Sequence, residues 1–430
     1  MGFNKKISSD EAHRCPQCAQ PTCLSGCPLG IDIPGFIRFL REGDAASALE
    51  RIKKENPFPA ICGRICPAPC ETACIFHEEG SPIAIRALER YASDFGRSKA
   101  GVGLKPAPTS KGKKIAIVGS GPSAMAAASI LLTEGFVVVM FEAADEPGGL
   151  LRYGVVEFRL PQKILEAQFE ELKSQGLELH TNTFIGRMKS LQELTSTFDA
   201  VLLAVGAALP DFSLIEGENL TGVYYAEEFL MRLQTLSKEN VLVMASSLLR
   251  GAATVVVGGG YAALDAARMG LRLGQQVHLV FAGLEEEMGV SSDDLKEALE
   301  EGLNIQAPCE PLKIAADPQG FVVGLQYRRL DIMETKDGLI LEPLKDSEDI
   351  LKVQTVILAN GQKGNHFLAQ MTPSLRMNPN GTFWIDDKTS MTSLEKIFAV
   401  ASVAAGPMTV VEALASGKGA AKKIMGYLYQ

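Results

Sequence analysis

Apolar positions repeat along this chain with two different periods. From Ile31 to Glu55, "IDIPGFIRFLREGDAASALERIKKE" carries Ile, Phe and Leu at helical spacing, with Gly43-Asp44 interrupting the pattern. That spacing predicts two amphipathic helices joined by a turn. The stretch "SPIAIRALERYASDFG", 81–96, predicts a further one. Beyond residue 112 short apolar runs lead through glycines into helical patterns, which predicts βαβ units. Between the two regimes, "RSKAGVGLKPAPTSKGKK" is rich in Gly, Pro, Ser and Lys and reads as a linker. The chain therefore divides into a helical region, 1–100, a linker, 101–112, and a larger α/β region.

Composition narrows the class. A chain of 430 residues with 46% apolar content suits two or three globular domains. A formal net charge of -9 argues against nucleic acid as a partner, because there is no basic surplus to neutralise phosphates. No apolar run approaches the roughly 18 residues of a membrane span. The opening "MGFNKKISSDEAHRC" has no apolar secretory core, and position six is not the Ser or Thr of a myristoylation signal. A cytoplasmic location is expected, and with it reduced thiols.

Eight of the nine cysteines fall in two runs, Cys15-x2-Cys18-x4-Cys23-x3-Cys27-Pro28 and Cys62-x3-Cys66-x3-Cys70-x3-Cys74. Disulfides need an oxidising compartment that nothing here supplies. Structural zinc more often uses paired two-residue spacings or adds histidines, and His13 and His77 lack zinc-finger spacing. A run ending in Cys-Pro resembles iron–sulfur ligation, in which the last cysteine often serves a different cluster from the first three. Eight thiols match two four-iron clusters. The ninth, Cys309, stands alone and reads as inert.

Two dinucleotide fingerprints follow. In "KKIAIVGSGPSAMAAASILLTEGFVVVMFEA" a strand runs into Gly119-x-Gly121-Pro122-Ser123-Ala124, a helix and a second strand ending at Glu142. The glycines let the backbone close around a pyrophosphate at the helix N-terminus, and Glu142 stands where a ribose is hydrogen-bonded. Ala124 replaces the third glycine, where only a small residue is needed. The second unit, "ATVVVGGGYAALDAARMGLRLGQQVHLVF", carries Gly258-Gly259-Gly260-Tyr261-Ala262-Ala263, but its second strand ends at Phe281 with no acid.

Taken together, the cysteine runs, "CGRICP", "GGLLRYGVVEFRLP" at 148–161 and the order of the two nucleotide units resemble the glutamate synthase small-subunit family. The matching modules of dihydropyrimidine dehydrogenase and of NADH-dependent ferredoxin:NADP oxidoreductases are equally similar. The resemblance runs from about Cys15 to Ile424. It implies two Rossmann-like dinucleotide-binding α/β domains, of the glutathione reductase-like flavoprotein kind, preceded by an α-helical iron–sulfur domain. The FAD domain is then discontinuous, 113–245 and 361–430, and a nicotinamide-nucleotide domain, 246–360, is inserted in it. Hydride would pass from nicotinamide to FAD, and single electrons would pass through two [4Fe-4S] clusters.

What the resemblance implies for sites is specific. Cys15, Cys18, Cys23 and Cys74 hold one cluster; Cys27, Cys66 and Cys70 hold the other, with Glu89 of "ALERYA" as fourth ligand and Cys62 a packed thiol. Read without the resemblance, Glu89 is an exposed helix carboxylate and Cys62 the better fourth donor. Gly148, Gly149 and Leu150 approach the FAD, and Arg159 lies near its ring; read alone, Arg159 is a helix-start residue paired with a local carboxylate. Gly206 of "LLAVGA" and the glycine of "ILANGQ" end strands where the chain crosses between domains. No catalytic side chain is singled out.

Three departures bear on the nucleotides. NADPH-using relatives carry an arginine pair whose guanidinium forks grip the 2′-phosphate. Here Ala282 and Gly283 stand in their place, followed by Glu285, Glu286 and Glu287, which weakens NADPH binding on the order of a hundredfold and favours NADH. Tyr261 replaces an asparagine; its ring either stacks on a base or blocks the nicotinamide. Ala401-Ser402 replaces the Gly-Asp that orients the flavin ribityl chain, with Ser402 still able to hydrogen-bond. These changes leave a rival reading open, an electron-relay or scaffold subunit that keeps FAD and clusters but no longer binds nicotinamide. Either reading requires a redox partner subunit or ferredoxin-like protein, and a hetero-oligomeric complex is expected.

Overall fold

The computed structural model describes every residue except 1, 101–111, 208, 213–214, 236–247, 336–337, 365 and 430. It falls into two compact units, one of Met1–Arg152, Phe158–Leu209 and Lys363–Gln430, the other of Tyr153–Glu157 and Pro210–Gln362. The expected linker, 101–112, lies outside the described residues but for Gly112. Among the described residues no helix is long and apolar enough to cross a membrane.

The first unit begins with helices whose starts are written in the sequence. Asn4, Asp32 and Asp44 each accept a backbone N–H of the turn they open, from Ile7, Gly35 and Ser47. The Ile33–Arg41 and Ala45–Lys53 helices turn at Gly43, as their spacing predicts, and bury Phe36, Ile37, Leu40, Leu49 and Ile52. The Ile85–Ala100 helix packs across them and against the Pro59–Ile65 helix.

The same unit holds a five-stranded parallel sheet. Its order is Ile397–Ala399, Ala200–Leu203, Lys114–Val118, Val137–Phe141, Glu178–His180. The first of these strands comes from the far end of the chain, so the domain is discontinuous. The Val410–Leu428 helix then lies on the Pro122–Thr133 helix so closely that a Cβ on Gly417 would stand 2.1 Å from the Ser123 carbonyl oxygen.

The second unit repeats the plan. Its parallel sheet runs Val223–Tyr225, Thr355–Leu358, Ala253–Val257, Gln276–Val280, Asn304–Gln306. An antiparallel sheet of Cys309–Ala316, Val322–Thr335, Gly338–Pro343 and Asp349–Leu351 shares its core through Ile314, Leu325 and Tyr327. This unit starts earlier than the expected 246. The reason is that Val223–Tyr225 supplies the edge strand beside Thr355–Leu358 and the Ala226–Gln234 helix packs on that sheet. Apart from the short Tyr153–Glu157 segment, the chain changes unit after Leu209 and again after Gln362, just beyond the two strand-end glycines, Gly206 and Gly361.

Candidate functional site: two thiol-lined cavities and two glycine loops

The eight clustered cysteines sort into two cavities. One is lined by Cys15, Cys18, Cys23 and Cys74, with Ile33, Ile37 and Ile83 behind them. The other is lined by Cys27, Cys62, Cys66 and Cys70, together with Glu89 and Asn56. Each run thus gives one member to the other's set. The crossing is pinned by Thr22, whose hydroxyl donates to the Ala73 carbonyl at 2.5 Å. Arg41 holds the entry to the first run, donating to the carbonyls of Ala12, His13 and Cys15.

The chemistry of these walls fits a group that brings positive charge. Burial, with Cys15, Cys74 and Cys18 close by, pushes the Cys23 thiol up to about 11. Burial and then Glu89 push Cys66 up to about 12. Cys70 and Cys62 are raised as well, by burial first and then by Glu71 and Glu89 respectively. Bare thiolates are costly in such cavities, whereas metal coordination deprotonates a thiol outright. Among the described residues no three His, Cys, Asp or Glu side chains close around one ion. Four thiols line each cavity, a donor set that fits a four-iron cluster.

Glu89 is only 6% exposed, not the surface carboxylate its helix pattern suggests. Burial lifts it to about 8, although a hydrogen bond from Asn56 works the other way and Glu71 adds to the rise. Cys62, 1% exposed, faces the same cavity, so both candidate fourth donors are brought together. Val411, from the Val410–Leu428 helix, lines this cavity, and Lys418 on the same helix ion-pairs with Glu55 and donates to the Leu29 carbonyl at 3.3 Å. The second cavity therefore abuts the part of the unit that carries the first glycine fingerprint.

In that fingerprint Gly119 has φ +100, and a Cβ there would stand 2.4 Å from the Ala204 carbonyl oxygen. Gly121 opens the Pro122–Thr133 helix, whose first turn contains Ser123 and Ala124. Ser120 joins the pieces: its hydroxyl bonds the Glu142 carboxylate and accepts the Gly148 N–H at 2.8 Å. Glu142 also accepts the Ala144 N–H at 2.9 Å. Gly149 has φ +54, and a Cβ there would come within 3.2 Å of Gly121 Cα, so the two loops line one cradle. Leu150 starts the short helix beside it and is exposed. Arg159 is half-buried ahead of the Gln162–Ser174 helix. Ser402 opens a short helix behind Ala401, whose N–H donates to Ser416 Oγ at 3.1 Å.

In the second unit the backbone is equivalent and the side chains are not. Gly258 has φ +136, and a Cβ there would stand 2.5 Å from the Ala359 carbonyl oxygen. At the place of Ser120 is Gly259; a Cβ on it would meet the Phe281 ring at 2.5 Å. Gly260 precedes the Tyr261–Arg272 helix, in which Ala262 lies on the first turn. Tyr261 is tied down: its hydroxyl donates to Asp294 Oδ2 at 3.1 Å and accepts the Ser291 N–H at 3.0 Å. Ala282 and Glu285, Glu286 and Glu287 are exposed, and Glu287 folds back to accept the Leu284 N–H at 2.9 Å.

Sequence reasoning missed Asn56, Ser120, Arg41 and Lys418. Of these only Ser120 had a signal, its place between two fingerprint glycines.

In comparison with known proteins, the two cysteine runs and the two glycine loops fall under different family models. Residues 1–100 match the family described as dihydropyrimidine dehydrogenase domain II, 4Fe-4S cluster. Residues 113–417 match the pyridine nucleotide-disulphide oxidoreductase family. The chain is 32% identical to the glutamate synthase [NADPH] small chain of Escherichia coli (strain K12), over 99% of this chain and 92% of that protein. It is 31% identical to the NADP(+)-dependent formate dehydrogenase subunit beta of Moorella thermoacetica, covering 95% of this chain and 60% of that one. Among solved structures, FprA from Mycobacterium tuberculosis is similar in fold, with TM-score 0.61 and 22% identity over 76% of this chain and 86% of that one.

Proposed function

The chain belongs to the pyridine nucleotide-disulphide oxidoreductases, in the glutamate synthase small-chain family, and on that footing we propose that it moves electrons between NADH, FAD and two [4Fe-4S] clusters, to or from a partner subunit or ferredoxin-like protein. It is an FAD-dependent NAD(P)H oxidoreductase with a 4Fe-4S domain. What carries the finer reading is the sorting of eight cysteines into two separate cavities, one of them lined in part by Val411 of the flavin part.

On this reading Cys15, Cys18, Cys23 and Cys74 hold one cluster, and Cys27, Cys66, Cys70 and Glu89 hold the other. Gly119, Gly121, Pro122, Ser123, Ala124, Glu142, Gly148, Gly149 and Leu150 cradle the FAD, with Gly206, Arg159 and Ser402 around it. FAD supplies the conversion between a two-electron hydride donor and one-electron carriers. The neighbouring Val411 wall supports the second cavity as the one nearer the flavin. The domain division that fits is a cluster domain, 1–100, a flavin domain from 113 that resumes after Gln362, and a nicotinamide domain over Pro210–Gln362.

The nicotinamide loop, Gly258 to Ala262, is assigned to NADH because Ala282 and Gly283 offer no guanidinium to a 2′-phosphate and three exposed glutamates follow. The names of the relatives above carry NADPH or NADP(+), so this chain would differ from them. The anchored Tyr261 favours a second reading, a relay subunit without nicotinamide binding. An anaerobic titration of the full protein with NADH and, separately, NADPH, following flavin absorbance, decides between them. Bleaching by NADH alone is the expected result. Bleaching by NADPH at equal concentration overturns the preference, and bleaching by dithionite but neither nucleotide supports the relay.

A further inference from the structure

The second cavity offers five donors, Cys27, Cys62, Cys66, Cys70 and Glu89, to a group that takes four. Something must choose between Glu89 and Cys62. Asn56 stands next to both and is fully buried, at 0% exposure. Its Nδ2 donates to Glu89 Oε1 at 2.7 Å, and Cys62 lines the same cavity.

The direction of this amide is fixed by the backbone. Asn56 Oδ1 accepts the Phe58 N–H at 2.9 Å, and its own N–H donates to the Ile52 carbonyl at 2.9 Å, at the end of the Ala45–Lys53 helix. Because a backbone N–H can only donate, the oxygen of the amide has to face Phe58 and the NH2 has to face the carboxylate. Burying Glu89 without that donor would leave a carboxylate oxygen unsatisfied in an apolar wall.

We infer that Asn56 is a positioning residue: by engaging one oxygen of Glu89 it commits this carboxylate, and not the Cys62 thiol, as the fourth donor beside Cys27, Cys66 and Cys70. The inference rests on the ligand set proposed above. When Asn56 is removed, Cys62 takes the vacated corner and the cluster becomes all-thiolate.

The test uses the full protein, reconstituted anaerobically, with iron content, the EPR spectrum of the dithionite-reduced form and flavin content as readouts. Cys62→Ser alone keeps full iron and the native spectrum. Asn56→Leu keeps full iron but changes the spectrum of one cluster and lowers its midpoint potential. The double variant Asn56→Leu with Cys62→Ser loses half of the iron while keeping its flavin. Full iron with an unchanged spectrum in the double variant overturns the inference. If Cys62→Ser by itself halves the iron, the underlying ligand set is wrong, whatever Asn56 does. Should Asn56→Leu lose all iron through misfolding, Asn56→Asp decides. It keeps the acceptor for Phe58 and withdraws the donor from Glu89, so the same spectral change is expected, and an unchanged spectrum overturns the inference.

Discussion

The two nucleotide units share one backbone and differ in what they place on it. In both, the first glycine sits at positive φ against a carbonyl from the neighbouring strand end, Ala204 in one and Ala359 in the other. In both, its N–H donates to the last carbonyl of the next strand, Phe141 or Val280. Beyond that the units part. The first joins Ser120, Glu142 and Gly148 in a polar latch, and its fingerprint helix is buried on nearly all sides under Val410–Leu428. The second packs Phe281 on Gly259 and ties its helix outward, through Tyr261 to Asp294 and through Arg268 to Glu297 and Glu301. A glycine loop thus specifies a turn, while the strand end and the helix's neighbours specify which nucleotide can use it.

The largest effect that separates these roles comes from the glycines themselves. Gly119→Ala and Gly258→Ala each add a Cβ 2.4–2.5 Å from a carbonyl oxygen at positive φ. Each should destabilise its own unit by about 4 kcal/mol. Gly121→Ala and Gly260→Ala meet nothing within 4 Å at negative φ, so stability should change by less than about 1 kcal/mol. Denaturant melts check the first pair. For the second pair the checks are flavin retention, which Gly121→Ala should lower, and nicotinamide titration, which Gly260→Ala alone should abolish. Loss of flavin from Gly260→Ala would break the division of labour.

Next in size is the ion pair on the second unit's fingerprint helix. Arg268 is 3% exposed and reaches Glu301 at 2.7 Å and Glu297 at 3.0 Å. Arg268→Ala should cost about 2 kcal/mol, since it takes from the partly buried Glu301 one of its two arginine partners, Arg272 being the other. Burial alone would raise Glu301, but the hydrogen bonds and charges of Arg268 and Arg272 outweigh it and hold the carboxyl below its usual value. The pair's contribution is therefore present above the unfolded value of about 4.3 and is lost as pH falls through the lower folded one. Thermal melts from pH 7 to 3 should lose stability less steeply in Arg268→Ala than in the parent protein.

The smallest effect lies in the first unit. Ala401 holds φ +59 and ψ -139, a conformation suited to glycine. Ala401→Gly should stabilise that unit by about 1 kcal/mol, the relieved strain exceeding the added freedom of the unfolded chain. Calorimetry that shows no gain would mean Ala401 is unstrained there.

Much of this was legible along the chain. The fingerprints, the helices opened by Asp32 and Asp44 and the crossing points near Gly206 and Gly361 are local, and local residues determine them. The start of the second unit was not, because Val223–Tyr225 is a short strand whose partner, Thr355–Leu358, lies far away in sequence. The antiparallel sheet over Cys309–Leu351 likewise carries no nucleotide motif to announce it.

The sequence by itself determined where the backbone can turn, which helices begin where, and that thiols of the right number and spacing are present, since caps, glycines and periodicity act within a few residues. Tertiary structure alone decided which thiols share a cavity, that Glu89 is buried among them, and that Asn56 meets it. Those juxtapositions depend on the Ile85–Ala100 helix packing against Pro59–Ile65, and on each cysteine run lending one member to the other, contacts between residues distant along the chain.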